Sequence, residues 1–264
     1  MSVSQITDKT TITKQLEDDP IVTLEALDEN ILGMDGLVTV FAPDGEDPPA
    51  QLVVRWGQKS LGLGSYAMLR ARRMTELAEV IEAFPAESGE LDMVLPFWAS
   101  GAVAAQLKAQ PLGAEAWYEL KKDWLVTSPV VKQCIRLDDP HVIKPMFPKL
   151  ADDTPAYVLS LNQQLTAVAA VTHCARDIAR VFVYVVEEAR GRGFGRGVLT
   201  ALAEELLALR LTPTLRVSLS DEPAVRLAEG SGFRLYHAML RLAVNGRHVE
   251  PGPGLVGLGS RSSS

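Results

Sequence analysis

Six residues, Arg190-Gly191-Arg192-Gly193-Phe194-Gly195, constrain this chain more than any others, because they join two regular patterns. Before them, Arg180 to Val186 is an apolar run of strand length. After them, Val198, Leu202, Leu206 and Leu209 recur at the spacing of one helix face. A turn from strand to helix leaves the first helical amides without partners and adds the positive end of the helix dipole, so such a junction suits an anion. Gly193 and Gly195 offer no β-carbon to obstruct a diphosphate and tolerate the positive φ that aims successive amides at one oxygen. Arg190, Arg192 and Arg196 add charge.

Three other glycine-rich readings fail on spacing or context. A dinucleotide fingerprint needs a glycine at the sixth position, but Arg196 stands there counted from Gly191 and Val198 counted from Gly193. A Walker loop needs Gly-Lys-Ser/Thr, which is absent. An RGG-type RNA segment belongs in basic disordered sequence, whereas this chain has 26 basic against 33 acidic residues and a net charge of −7. The same balance argues against nucleic acid as a partner in general, since that affinity rests on phosphate neutralisation.

The flanks read as a sheet. Tyr157 to Leu161, Leu165 to Thr172 and Arg180 to Val186 are strands separated by polar turns at Asn162 to Gln164 and His173 to Asp177, an antiparallel meander. A strand over Val131 to Leu137 precedes them. Thr212 and Pro213 stop the helix, and Leu215, Val217 and Leu219 alternate with Arg216 and Ser218 as in a half-buried strand. A helix over Glu222 to Ser231 then closes at Gly232, and Phe233 to Leu242 is the last strand. The tail, 245–264, rich in Gly, Pro and Ser, reads as disordered.

The first half carries no glycine motif. Ile21 to Leu32 reads as a short helix, Leu37 to Phe41 and Leu52 to Trp56 as strands, and Pro43 to Pro49 as turns. In Tyr66 to Phe84, the spacing of Met74, Leu77, Ile81 and Phe84 predicts a core-facing helix ended by Pro85. Leu91 to Trp98 reads as extended, Gly101 to Gln110 as helical and Ala114 to Leu120 as a strand, with Pro111 and Gly113 as breaks. Strand, helix, strand recurs in both halves, so a duplicated architecture is one reading of the order.

At 264 residues the chain accommodates two domains of ordinary size, and the expected division is 1–123, an α/β domain, then 124–244, then the tail. No apolar run approaches the roughly 20 residues that cross a bilayer, so no membrane is expected. Met1 to Asp19 is polar and lacks a secretory pattern, which predicts the cytoplasm. Cys134 and Cys174 have no metal-ligand spacing, and both are expected as reduced thiols.

Val185 followed by Arg190 to Gly195 resembles the R/Q-x-x-G-x-G/A motif of the GNAT superfamily of N-acetyltransferases, which binds the pyrophosphate of coenzyme A. The run Asp221-x-x-Ala224-x-x-Leu227-x-x-x-x-Gly232-Phe233 is similar to the family's N-x-x-A-x-x-L-Y-x-x-x-G-F, and the likeness covers about Val131 to Leu242. The resemblance implies an α/β (α+β) fold with a mixed, largely antiparallel sheet flanked by helices. It also implies a cofactor site of Val183, Val185, Arg190, Gly191, Arg192, Gly193, Phe194, Gly195, Arg196, Asp221 and Ala224. The co-substrate is then acetyl-CoA or another acyl-CoA, with no metal. The backbone of Val183 and Val185 is expected to pair with the pantetheine arm.

Two positions depart from the family. Asp221 replaces the usual Asn, and Ala228 replaces the Tyr that in many members protonates the leaving thiolate. For the general base, His173 is a candidate because an unperturbed imidazole suits base work near neutrality, and Asp177 is a second that would need burial to raise its own pKa. The expected function is direct transfer of an acetyl or small acyl group to the amine of a small molecule, by a monomer or homodimer. The alternatives are a non-catalytic acyl-CoA-binding or interaction protein and a peptide or protein N-acetyltransferase. The two-part layout resembles glycine N-acyltransferase-like members, in which only the second half keeps the cofactor site. The first half is then a degenerate GNAT-like or other α/β domain covering one side of the acceptor cleft, with Trp56, Trp98 and Trp117 as walls or core residues.

Overall fold

The computed structural model describes residues 3–17, 19–27, 37–43, 50–57, 65–72, 77–84, 91–137 and 139–247. The expected turns after Pro43, and the expectations for Met74, Pro85 and the tail from residue 248, lie outside these. In chain order the elements are β1 (Val3–Ile6), α1 (Lys9–Leu16), α2 (Pro20–Leu27), β2 (Val38–Pro43), β3 (Ala50–Arg55), β4 (Tyr66–Ala71), α3 (Leu77–Ala83), β5 (Leu91–Leu95), α4 (Ser100–Gln106) and β6 (Leu107–Glu119). There follow β7 (Ile135–Leu137), β8 (Ala156–Leu161), β9 (Gln164–Ala175), β10 (Ile178–Val185), α5 (Phe194–Ala208), β11 (Thr212–Ser218), α6 (Glu222–Gly230) and β12 (Arg234–Arg247).

All twelve described strands join one sheet in the order β1-β2-β3-β4-β5-β12-β6-β11-β10-β9-β8-β7. The order is a palindrome in the element sequence. The run strand, strand, strand, helix, strand, helix, strand occurs from β2 to β6 and again from β8 to β12. Each run holds one parallel pair, β4 with β5 and β10 with β11, and every other ladder is antiparallel. The closing strands are exchanged: β12 lies beside β5, and β6 lies beside β11. Parting the halves would break three ladders and expose their backbone groups.

The apolar patterning explains the layers. On β9, Ala167, Ala169 and Val171 point to the face that carries α5, while Val168 and Ala170 point to the face covered by Ile143 and Leu150. Alanine at these central positions leaves room for α5 to approach the sheet closely. That helix buries Val198, Leu199, Leu202 and Leu206 against it, each contributing about 1.5–3 kcal/mol. Leu209, expected on the same stripe, caps the helix and is exposed. On the other face, Ile12, Leu16 and Leu24 of α1 and α2 pack on Val40, Met68, Val94, Trp117 and Ile178, so these helices cover strands from both halves.

Several expected elements differ. Tyr66 to Ala71 is a strand rather than the start of a helix, and its ladder to β3 claims residues whose helical spacing was real only from Leu77 onward. Pro111 and Gly113 do not break β6, which runs through both as one strand; Pro111 stands where the register to β12 shifts, a site that tolerates a missing N–H. Pro129 to Gln133 is a 3-10 turn capped by Ser128, leaving only Ile135–Leu137 as strand. The helix expected from Ile21 to Leu32 is described only over Pro20–Leu27. The last strand reaches Arg247, beyond the expected start of the tail.

The end of α6 is the tightest close approach. Gly232 has φ +94°, and a β-carbon there would lie 1.8 Å from the carbonyl oxygen of Trp124. Gly232→Ala is therefore expected to cost at least about 2 kcal/mol. Gly230, with open space around its Cβ position, is expected to gain up to about 1 kcal/mol on substitution by Ala. Urea unfolding midpoints of the two variants check the contrast.

Candidate functional site

The sheet opens where β10 meets β11. Their parallel ladder pairs Ile178 with Thr212, Ala179 with Pro213 and Arg180 with Thr214, and goes no further. Beyond that point β10 continues to Val185 on β9 alone, with a bulge between Arg180 and Val181, and β11 continues to Ser218 on β6 alone. Val181–Val185 and Leu215–Ser218 thus line a cleft, each with one edge of backbone groups turned away from its ladder. Such groups need a hydrogen-bonding ligand or water.

The glycine segment stands at the open end of this cleft. After a 3-10 turn over Glu187–Ala189, Gly191 takes φ 77° and Gly193 takes φ 81°, conformations that glycine adopts without strain. Gly193 is the N-cap of α5, and its carbonyl accepts the first helical bond from the Gly197 N–H at 3.0 Å. The amides of Phe194, Gly195 and Arg196 therefore lie ahead of the helix's own ladder. A β-carbon at Gly195 would sit 3.0 Å from Val185 Cγ2, so its absence lets the helix N-terminus rest on the end of β10. Arg190 and Arg192 are exposed, and the Arg190 Nε donates to the Val185 carbonyl at 3.3 Å. Arg196 is half-buried, with an Nε that has no partner. Free amides, left-handed glycines and three guanidinium groups together fit a pyrophosphate.

Because α5 occupies one face, a second ligand would approach the cleft from the other. There Phe182 and Tyr184 of β10 meet Phe147, with ring centroids 5.3 and 5.4 Å apart. Of the base candidates, His173 is half-buried and pairs in register with Arg180, the last residue before the opening, and its Nδ1 lies 3.2 Å from Thr172 Oγ1. Asp177 is exposed in the β9–β10 turn, where its carbonyl accepts the Thr212 N–H. It stands four residues before Val181, roughly 13 Å along the strand at about 3.3 Å per residue. Asp221 caps α6, its Oδ1 accepting the Ala224 N–H at 3.1 Å.

Ala228 is fully buried, in the apolar cluster that also holds Tyr118 and Phe233. The Tyr118 hydroxyl donates to Glu229 Oε1 at 3.3 Å, and burial together with that carboxylate holds the phenol above its ordinary pKa. Cys134 and Cys174 are not joined in a disulfide. Burial pushes Cys134 up to about 11, which leaves it protonated at neutral pH. Trp117 is wholly buried, Trp56 stacks on Phe84, and Trp98 is exposed.

The model of the FR47-like protein family matches residues 161–242, a span that holds the cleft, the glycine segment and α6. This span, under a third of the chain, is similar to that family. The whole fold is shared with solved GNAT proteins. A putative GNAT acetyltransferase from Novosphingobium aromaticivorans is 17% identical over 89% of this chain and 98% of its own, with a TM-score of 0.51. A GCN5-related N-acetyltransferase from Sphaerobacter thermophilus is 12% identical over 93% and 96%, with a TM-score of 0.58. A tandem GNAT protein from the clavulanic acid biosynthesis pathway is 13% identical over 92% and 98%, with a TM-score of 0.54. No curated protein matches the chain. Among the described residues no helix is long and apolar enough to cross a membrane, and no cluster of His, Cys, Asp or Glu is arranged to hold a metal.

Of the residues that β6 brings beside β11, sequence reasoning named Trp117, as a wall or core residue, and missed Tyr118 and Glu115. They carry no motif, and strand exchange is a long-range event. It also missed Val130, whose side chain lies against the start of α5, so that a β-carbon at Gly197 would come within 2.6 Å of Val130 Cγ1. Gly197→Ala is expected to destabilise by about 1–3 kcal/mol through this overlap. Adding Val130→Ala should recover part of the loss, as a thermal-unfolding double-mutant cycle will read.

Proposed function

We propose that this protein is an N-acyltransferase that moves an acetyl or other small acyl group directly from acyl-CoA to the amine of a small molecule. The observation that carries the reading is the divergence of β10 and β11 beside a glycine segment whose helical amides are unclaimed. Arg190, Gly191, Arg192, Gly193, Phe194, Gly195 and Arg196 hold the pyrophosphate in this reading. The backbone of Val183 and Val185 orients the pantetheine arm, and Asp221 and Ala224 form the neighbouring start of α6. The thioester is then seated where the strands part, and orientation supplies much of the rate. His173 is the better placed of the two base candidates, since it stands across from Arg180 at the apex.

The palindromic sheet supports a division into 1–123 and 124–244 as two related halves, of which only the second keeps the phosphate-binding glycines. The solved tandem GNAT protein of the clavulanic acid pathway is in keeping with that layout. The acceptor enters opposite α5, where the first half contributes a wall through β6. We place the protein in the cytoplasm, as a monomer or homodimer working without a metal. One observation favours a non-catalytic acyl-CoA-binding protein instead: at Ala228 there is no tyrosine to protonate a thiolate. A peptide or protein acceptor is the remaining alternative.

Arg190→Glu combined with Gly193→Val should weaken acetyl-CoA binding at least about tenfold by titration calorimetry, since it removes a charge and blocks the left-handed N-cap. An unchanged affinity would sink the site assignment. Incubating the pure protein with acetyl-CoA and a panel of small amines should release free thiol over time, whereas binding without turnover on any amine would favour the non-catalytic reading.

A further inference from the structure

Past Thr214, β11 has no ladder to β10, so the wall of the cleft that it forms is held sideways only by β6. On the face away from α5, a chain of alternating charges runs across four adjacent strands at this place. Arg216 on β11 donates through Nε to Glu115 Oε2 on β6 at 2.5 Å. Arg241 on β12 reaches Glu115 Oε1 at 3.4 Å and Asp92 Oδ2 on β5 at 2.6 Å. The Arg216 guanidinium also lies 5.0 Å from the Tyr66 ring centroid and 5.1 Å from that of Trp117. Glu115 is buried, with 9% of its surface exposed, and ion pairs sheltered from water are screened far less than those on the surface.

We infer that Glu115 and Arg216 are positioning residues for acyl transfer: the chain Asp92–Arg241–Glu115–Arg216 ties the open wall of the cleft to the opposite half of the sheet and sets the spacing at which the thioester is held. The inference rests on the reading of the β10–β11 cleft as the acyl-CoA seat. Neither residue touches the phosphate-binding segment, so loss of the tie should disturb placement of the reacting end far more than affinity for the cofactor.

Glu115→Gln keeps the shape and removes the charge. It should lower kcat at least about tenfold, because small misplacements in a reacting pair are costly, while the calorimetric Kd for CoA stays within about twofold. The Arg216→Gln single variant and the Glu115→Gln/Arg216→Gln double variant should show losses similar to that of Glu115→Gln, as for two residues acting as one unit. An unchanged kcat, additive losses or a parallel loss of CoA affinity would each overturn the inference. Hydrogen exchange on the ligand-free protein gives a readout independent of turnover. The Leu215–Ser218 amides should exchange faster in Glu115→Gln while those of β9 do not change, and identical exchange in the two proteins also overturns it. If wild type fails to bind CoA, the reading of the cleft falls, and the exchange comparison still decides whether the ion chain holds β11.

Discussion

The arrangement of this molecule depends on a ladder that stops early. Two parallel strands hydrogen-bond over three residue pairs and then part between Arg180 and Thr214. Leaving backbone groups unpaired inside a sheet is costly, and a fold tolerates it only when other ladders hold each strand in place. Here β9 grips β10 through a long antiparallel register, and the bulge at Arg180 and Val181 turns the strand at the point where separation begins. On the other side β6 grips β11. The cleft is thus a property of four strands, and one of them comes from the opposite end of the element order.

That exchange explains why the two halves of the chain form one sheet. Had β12 paired along β11, and β6 along β5, each half would have closed on itself and presented an edge. Instead β6 and β12 pair with one another at the centre, from Arg234 opposite Glu119 to Arg247 opposite Leu107. Each also serves the parallel pair of the other half. Helices α1 and α2 then lie across the seam, and Arg180 donates from Nη2 to the carbonyl of Ile21, which ties α2 to the strand that borders the cleft.

The second half was readable because its signals are local. The meander β8–β9–β10, the amphipathic α5, the alternation of β11 and the cap and stop of α6 each rest on residues within a few positions of one another, and all were placed to within a few residues. The glycine segment was legible for the same reason, although the positive φ expected of Gly193 and Gly195 falls on Gly191 and Gly193, and Gly195 is helical. The first half was harder. Tyr66 to Ala71 carries no strong alternation because β4 is covered on both faces, and a strand buried on both sides looks like a helix to a periodicity argument. The residues that β6 adds to the cleft were out of reach, because nothing near Glu115 or Tyr118 in sequence announces a partner about 100 residues away.

The residue at position 228 shows how the same exchange bears on chemistry. Ala228, fully buried on α6, belongs to the same apolar cluster as Tyr118 of β6, whose hydroxyl donates to the neighbouring Glu229. A tyrosine at 228 would add a ring to that buried cluster, and interiors at crystal density do not absorb such an addition without displacement. The alanine at 228 thus has a packing consequence in the folded chain, in a cluster that an exchanged strand helps to build, which the sequence alone does not show.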